Sequence, residues 1–543
     1  MVNIMNKKII IIGIIVLAVV LVGSLVVFGN SRDTDPTHLT IAAHSNIKEP
    51  ESGFNPLTGW GCGHQNYNPL VQSCLFKTDA NGKIVPDLAT DYSISSDGKT
   101  WTVNLRDDVK FSDNSTFNAE DVAFTFNTAK ETESDLDLTN LEKATAKNST
   151  CVEFDLVEPR STFIYDLRYV GIVPSDSYNN TTYGEHPIGT GPYILDNWDK
   201  GQQAIFKINE NYYGKKPYFT QINLIFPQEP TWIQLARSGQ VDVVPVPTST
   251  LNQNVDGYKF YEISAGRAEG VSLPYLKDTG IVTEDGYKVG NNVTSDVAIR
   301  KALNVGINRD KMVKEVFAGH GKPEFTGVDT RSYVNNNSKV KDSNIKKAKE
   351  ILKKGGWVDT DGDGIVEKNG TKASFNLYYP PDYLDRQSLS LVFSEQAKEI
   401  GIEVTLVGAD WDTIYANMYS SAALMQQTSP DPYKSVYQQY HSKEMDGFYM
   451  NPNLYNSSVS DKYMDDAMHT TDFDKANSLW ALSADSNGEG WGPAADAPWV
   501  WLVNYDYNYY IKEGINIGHQ PDGLGNDILI NICEWNRTTD STS

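Results

Sequence analysis

A short glycine-rich segment from Gly59 to His64 holds the most suggestive grouping of reactive side chains in the sequence. Glycine has no Cβ, so its backbone can approach a ligand closely. Trp60 offers a ring face for stacking, and the His64 imidazole is a hydrogen-bond donor or a metal ligand. Cys62 stands between them. The segment predicts part of a small-molecule binding site; the alternative is a glycine-rich turn around a structural tryptophan.

A second grouping is acidic and has the spacing of a cation-binding loop. Asp359, Asp361 and Asp363 occupy positions 1, 3 and 5 of a loop with glycine at position 6. Carboxylates at this spacing fold around a hard cation such as Ca²⁺. Glu367 lies at position 9, whereas position 12, where a bidentate glutamate is expected, holds Gly370. The pattern favours a solvated acidic turn, with a structural Ca²⁺ site as the alternative.

Motifs that would indicate catalysis are missing from the sequence. It contains no Gly-x-Ser-x-Gly, no Walker phosphate loop, no His-Glu-x-x-His and no paired Cys-x-x-Cys. Cys62 and His64 lie two residues apart and lack a third group that would orient the imidazole. We predict that the chain is not an enzyme and requires no cofactor.

Composition limits the class of protein and of partner. The 543 residues are 40% hydrophobic and 22% charged, with a formal net charge of -23 at pH 7. This balance is typical of a folded chain, and the length allows two or three lobes. Nucleic-acid binding needs a basic face, so the acidity argues against nucleic acid as a partner. The four cysteines, Cys62, Cys74, Cys151 and Cys533, allow three disulfide pairings, among which the sequence does not choose.

The N-terminus predicts a membrane anchor. Lys7 and Lys8 precede an uncharged run from Ile9 to Phe28. As a helix, a run of this length spans roughly 30 Å, about one hydrocarbon core. Lysines before the run place the N-terminus in the cytoplasm and all that follows outside the cell. We expect an uncleaved anchor; the alternative is a removed signal peptide, which usually has a shorter apolar region.

The elements that must position these side chains alternate between strands and helices. Residues 39–43 and 101–105 show the two-residue period of strands, and Asn118 with Asp121 predicts the capped start of a helix. Residues 344–355 predict an amphipathic helix that a glycine ends. The strand–helix–strand pattern over 375–406 predicts a βαβ unit with parallel strands. The fold class is therefore α/β, with at least two lobes.

Several stretches of the chain resemble the family 5 solute-binding proteins of ABC importers, which capture oligopeptides, dipeptides and nickel chelates. The matching segments, in the order of the family, are Ile84–Ala89, Asp97–Arg106, Phe117–Val122, Pro187–Tyr193, Asn209–Gly214, Ser238–Asp242 and Val297–Leu303. The resemblance runs from about Leu39 to Arg537. It implies a two-lobed clamp like the periplasmic binding proteins, of type II with an extra inserted subdomain, behind one N-terminal transmembrane helix.

The resemblance also implies domain boundaries and partners. Residues 1–35 would be the anchor and stalk, 36–60 with 180–270 and 500–543 lobe I, 61–179 an inserted subdomain of lobe I, and 271–499 lobe II. Such a clamp closes on its ligand about a hinge. ABC permease subunits are the expected partners, the chain is expected to be a monomer, and the binding domain is expected outside the cell membrane.

Site residues and ligand follow from the same resemblance. In the family the loop after the first strand lines the binding cleft, where Trp60, Cys62 and His64 fall. Peptide binders of the family hold the ligand amino group with an aspartate in a loop comparable to that of Asp431, and Tyr433 is expected as an aromatic wall. We expect capture of short peptides. The alternatives are a nickel chelate held by Trp60 and His64, and a surface sensor or adhesion protein that kept the fold.

Overall fold

The computed structural model describes residues 35–43, 49–50, 53–58, 70–132, 137–446, 450–521 and 528–538. The predicted anchor and the predicted ligand residues Trp60, Cys62 and His64 lie outside these ranges. Within the ranges, no helix combines the length and the hydropathy that a membrane crossing needs.

Strands and helices alternate along the described chain, which confirms the α/β class. The strands are β1 (His38–Ala42), β2 (Phe76–Thr78), β3 (Ile84–Pro86), β4 (Ala89–Ile94), β5 (Thr100–Leu105), β6 (Leu141–Asn148), β7 (Cys151–Leu156), β8 (Tyr193–Asp199), β9 (Gln203–Ile208), β10 (Gln221–Ile225), β11 (Val243–Pro245), β12 (Tyr258–Ser272), β13 (Lys322–Pro323), β14 (Glu367–Lys368), β15 (Thr371–Lys372), β16 (Ser374–Tyr379), β17 (Glu403–Gly408), β18 (Ala422–Gln427), β19 (Trp499–Lys512), β20 (Ile515–Asn516) and β21 (Asn536–Arg537). The helices are α1 (Ala119–Lys130), α2 (Phe163–Tyr169), α3 (Trp232–Ser238), α4 (Val297–Gly306), α5 (Arg309–Val316), α6 (Ile345–Lys354), α7 (Leu384–Glu399), α8 (Trp411–Asn417), α9 (Gln438–Tyr440), α10 (Ser458–Met468) and α11 (Phe473–Ala484). A π-helical turn, Tyr433–Tyr437, precedes α9.

One large mixed sheet runs through both halves of the molecule. Its strand order is β17-β16-β18-β12-β19-β11-β1-β10-β9-β8, with β13 paired to β19. Toward one end β1 is parallel to β10 and β11, and toward the other β16 is parallel to β17 and β18. Parallel strands are usually covered by helices on their faces. We call the half with β1 and β8–β11 lobe I, and the half with β16–β18 lobe II.

The two lobes are joined by the long antiparallel strands β12 and β19. The segment of β19 that pairs with the start of β12 also pairs with β11 of lobe I, and the end of β12 pairs with β18 of lobe II. Between Ile263 and Arg267 the register shifts, so extra residues bulge from β12. A bulge bends a strand and interrupts its ladder. This position is therefore where we expect the lobes to hinge.

A smaller antiparallel sheet, β4-β5-β7-β6, forms a separate unit. Asn118 caps α1 beside it: its side chain accepts a bond of 2.7 Å from the Glu120 amide, and its own amide donates to the Asp121 carboxylate at 2.9 Å. This is the predicted capping box. The hydrophobic core of this unit includes the fully buried side chain of Trp101. We call residues 70–183 around this sheet the small subdomain. The domain boundaries drawn from the sequence stay a prediction.

Two further predicted elements are confirmed and position lobe II. The Asn344 side chain caps α6 at the Lys347 amide, 3.0 Å away, and Gly355 follows the helix end. Strand β16, helix α7 and strand β17 form the predicted βαβ unit, with the two strands parallel. Because β16, β17 and β18 are parallel, their carboxyl ends meet at one edge of the sheet. Open α/β sheets bind ligands at this edge.

Candidate functional site

The small subdomain and lobe II meet at a buried group of charged side chains. Arg160, just before α2, places Nη1 3.1 Å from Asp166 Oδ2 and Nη2 3.8 Å from Asp431 Oδ2. Asp431 lies in the loop after β18, at the carboxyl edge of the lobe II strands. The three side chains are 10% exposed or less. We call Arg160, Asp166, Asp431 and Tyr433 the junction.

Tyr433 completes the junction and covers its cation. The centre of its ring lies 4.3 Å from Arg160 Cζ, the geometry of a cation–π contact. Its backbone amide donates to Asp431 Oδ1 at 2.9 Å, so Asp431 also begins the π-helical turn. Next to it, Lys434 Nζ lies 5.6 Å from the ring of Tyr169 on α2. The structure thus brings Asp431 and Tyr433 together, and both contact the small subdomain.

Two carboxylates are buried at the junction, and their neighbours do not satisfy all of their hydrogen-bonding capacity. Asp166 Oδ2 forms an ion pair with Arg160 Nη1 but lacks the geometry of a hydrogen bond. Among the described residues, Asp166 Oδ2, Asp431 Oδ2 and Arg160 Nη2 are buried and have no hydrogen-bond partner. Burial raises the pKa of Asp166 to about 7, against the attraction of Arg160. Burial also raises the pKa of Asp431, against Arg160 and Lys434. The attraction of Arg160 and Lys434 therefore does not fully offset the free-energy cost of burying Asp166 and Asp431 in their ionised form.

A crevice of about 370 Å³ opens beside the junction, between the small subdomain and lobe II. Its walls include Ser161 and Pro432, the chain neighbours of Arg160 and Asp431, together with aromatic side chains from both sides. This volume lies within the range of small-molecule pockets, roughly 300–1,000 Å³. Junction and crevice together form the candidate site.

Direct bonds hold the two walls of the crevice together. The Ser161 amide donates to the Met468 carbonyl, and its hydroxyl donates to the Ala467 carbonyl, both at 2.8 Å. Phe473, the first residue of α11, packs against the core of the small subdomain. The small subdomain and lobe II are therefore in direct contact along the crevice.

Arg160 and Asp166 were not among the residues predicted for the site. No short motif surrounds them, and their partner Asp431 is far away in the sequence. An arginine that follows a proline is typical of an exposed loop. Only the packing of α2 against lobe II shows that Arg160 is buried between two carboxylates.

The acidic loop gathers its four predicted metal ligands. Carboxylate oxygens of Asp359, Asp361, Asp363 and Glu367 lie within 4.8 Å of one another. Glu367 Oε1 is buried without a hydrogen-bond partner among the described residues. The Lys372 ammonium enters the same group, 3.1 Å from Asp361 and in contact with Asp363. Calcium binding here stays a prediction, and it requires that Lys372 move away.

Comparison with known proteins decides the family. The model for the middle part of the bacterial extracellular solute-binding proteins, family 5, matches residues 83–447. The chain belongs to this family. Protein XP55 of Streptomyces lividans is 30% identical over 437 residues, 74% of either chain. The nickel-binding periplasmic protein of Escherichia coli K12 is 30% identical over 362 residues, 64% of this chain and 67% of that protein.

A solved structure shares the fold. The oligopeptide-binding protein AppA of Bacillus subtilis, in complex with a nonapeptide, matches with a TM-score of 0.68 and 23% identity, over 92% of this chain and 99% of that one. Membership of the family confirms the resemblance and the predicted role, a substrate-binding protein of an ABC importer. The family is one of solute-binding proteins, and its shared property is binding, not catalysis.

Calcium binding at the acidic loop predicts a stability change in the full chain. A cation that binds only the folded state raises the melting temperature, by about a few degrees. Asp361→Asn should abolish the rise because it removes a ligand. Lys372→Ala should bind Ca²⁺ about tenfold more tightly because the competing ammonium is gone. The measurement is calorimetric melting with Ca²⁺ and with chelator.

Asp310→Asn, an exposed carboxylate on α5, is the control and should keep the wild-type response. Identical melting with Ca²⁺ and with chelator, for the wild type and for Lys372→Ala, would show that the loop is a solvated turn.

Proposed function

We propose that this protein captures short peptides outside the cell and delivers them to the permease subunits of an ABC importer. The junction is the observation that supports this ligand best. Asp166 and Asp431 share the guanidinium of Arg160, and each keeps a buried oxygen that has no hydrogen-bond partner in the described part of the chain. A ligand ammonium supplies the missing positive charge and the missing donors. The free amino terminus is the group that unmodified peptides share, whatever their side chains.

A nickel chelate is the second candidate, because one relative is a nickel-binding protein. The residues predicted to hold the chelate, Trp60 and His64, lie outside the described ranges. Another histidine, His441, lies close to the junction. His441 is buried and stacks on Tyr437, with ring centres 4.2 Å apart. Its Nε2 lies 3.2 Å from Asp465, and its Nδ1 accepts the Lys443 amide at 3.0 Å. Both nitrogens thus face groups within lobe II. No observation favours the sensor or adhesion alternative.

We also propose that the run from Ile9 to Phe28 keeps the lobes, as a monomer, at the outer face of the membrane. Lys7 and Lys8 before the run support this orientation. Alkaline extraction of membranes should leave the full-length chain in the pellet. A soluble chain that begins after Phe28 would show that the run is a cleaved signal instead.

Calorimetric titration of the full chain with trialanine, from about pH 5 to pH 8, tests the peptide proposal. The ammonium pairs with ionised carboxylates, but the pKa of Asp166 is raised from 3.8 to about 7 without ligand. The proton on Asp166 must leave when the peptide binds. Affinity should therefore fall as the pH drops below about 7, by about tenfold per pH unit for one proton.

Asp166→Asn should weaken binding at high pH and flatten this pH dependence, because the amide neither ionises nor pairs with the ammonium. The other charged groups around the junction, Asp137, Arg168 and Lys434, stay in place in this variant. Asp310→Asn should behave as the wild type. Failure to bind trialanine at every pH, with binding of a nickel–histidine complex, would replace the peptide by the chelate.

A further inference from the structure

An exposed hairpin turn on the small subdomain presents an Asn-x-Thr triplet. Strands β6 and β7 pair up to Asn148 and Cys151, so Ser149 and Thr150 form the turn between them. Asn148 and Ser149 are exposed, and Thr150 is half-buried. Asn-x-Ser/Thr, with a middle residue other than proline, is the acceptor pattern for N-glycosylation. The turn therefore carries this pattern on the surface of the protein.

The asparagine carboxamide and the threonine hydroxyl of this triplet are held together. Asn148 Oδ1 accepts bonds from the Thr150 amide at 2.9 Å and from the Thr150 hydroxyl at 3.2 Å. This is an Asx turn, a conformation that asparagine favours in loops. Asn148 Nδ2 has no partner within the part of the chain that the structure describes. The acceptor nitrogen and the hydroxyl therefore lie together at one exposed turn.

The backbone of the turn is fixed by its neighbours in the small subdomain. The Ser149 carbonyl accepts the Ala119 amide, and the Thr150 carbonyl accepts the Leu105 amide, both at 2.9 Å. None of the turn residues lines the crevice beside the junction. A group attached to Asn148 would thus be carried by a fixed turn outside the crevice.

Two other triplets show that the sequence pattern alone does not define an acceptor. In the triplet of Asn292 the third residue, Thr294, is fully buried, and its hydroxyl donates to a backbone carbonyl at 2.8 Å. In the triplet of Asn336 the third residue, Ser338, is also fully buried and donates to a backbone carbonyl at 2.8 Å. Among the described triplets, Asn148 is the one whose Oδ1 accepts the hydroxyl of the third residue.

We propose that Asn148 is an N-glycosylation site, which an oligosaccharyltransferase modifies outside the cell from a lipid-linked oligosaccharide. The family is one of extracellular proteins, and such acceptors lie in surface loops of exported proteins. Nδ2 attacks C1 of the first sugar and forms the new C–N bond. The C1–O bond to the lipid phosphate breaks, the lipid phosphate leaves with the bonding electrons, and one Nδ2 proton is released. The Thr150 hydroxyl withdraws charge through Oδ1, which makes the loss of that proton easier.

Tandem mass spectrometry of peptides from the full chain, purified from the cells that produce it, tests this inference. The peptide that contains Asn148 should carry an oligosaccharide. The peptides that contain Asn292 and Asn336 should not, because the hydroxyls of their triplets are buried. An Asn148 peptide of unmodified mass would overturn the proposal, and an oligosaccharide on Asn292 would overturn its geometric basis.

Variants of the triplet separate the modification from the structure of the turn. Asn148→Asp keeps the oxygen that accepts both Thr150 bonds but has no amide nitrogen, so it should lose the oligosaccharide and keep the fold, measured by circular dichroism. Thr150→Val removes the hydroxyl and should also lose the oligosaccharide, whereas Thr150→Ser should retain it. An oligosaccharide that persists in Thr150→Val would overturn the role of the turn. All three variants should bind trialanine like the wild type, so this proposal and peptide capture fail separately.

Discussion

The antiparallel pairing of β12 with β19 fixes how the two halves of the molecule are joined. These two strands run from the parallel strands of lobe I to those of lobe II within one sheet. On the lobe II side, Glu269 of β12 is fully buried and pairs with Arg267 at 3.3 Å and with Arg386 of α7 at 3.0 Å. These ion pairs tie α7 to the strand. We expect motion between the lobes to concentrate at the bulge between Ile263 and Arg267.

Closure about this hinge buries charge. Arg160 and Asp166 belong to the small subdomain and Asp431 to lobe II, so the junction exists only while the two are in contact. Desolvation of buried ions is offset only when each is paired and fully hydrogen-bonded. At the junction, Asp166 Oδ2 and Asp431 Oδ2 have no hydrogen-bond partner among the described residues, and burial raises the pKa of both carboxyl groups. Under the proposed function, a ligand cation makes up the difference, and its binding energy favours the closed clamp.

How much the sequence predicts depends on how far apart the interacting residues are. The capping box of Asn118 and Asp121, the start of α6 at Asn344 and the parallel βαβ unit are set by neighbours in the chain, and the structure confirms them. The acidic loop is equally local, so its carboxylates do come together, although the entry of Lys372 was not foreseen.

The junction could be predicted only in part. Asp431 was predicted from the resemblance to the family and Tyr433 as an aromatic wall near it, whereas Arg160 and Asp166 depend on how the small subdomain packs against lobe II. Periodicity and short motifs describe single elements, and they contain no information on such a contact. The predicted roles of Trp60, Cys62 and His64 stay predictions, since these residues lie outside the described ranges.

If a ligand ammonium offsets the buried carboxylate charge between the closing lobes, removal of that one positive charge from the ligand must weaken binding. Calorimetry of the full chain with trialanine and with N-acetylated trialanine measures this effect, because acetylation neutralises the amino terminus. We expect acetylation to lower the affinity by at least about a hundredfold. Equal affinity for the two peptides would show that no ammonium is bound at the junction.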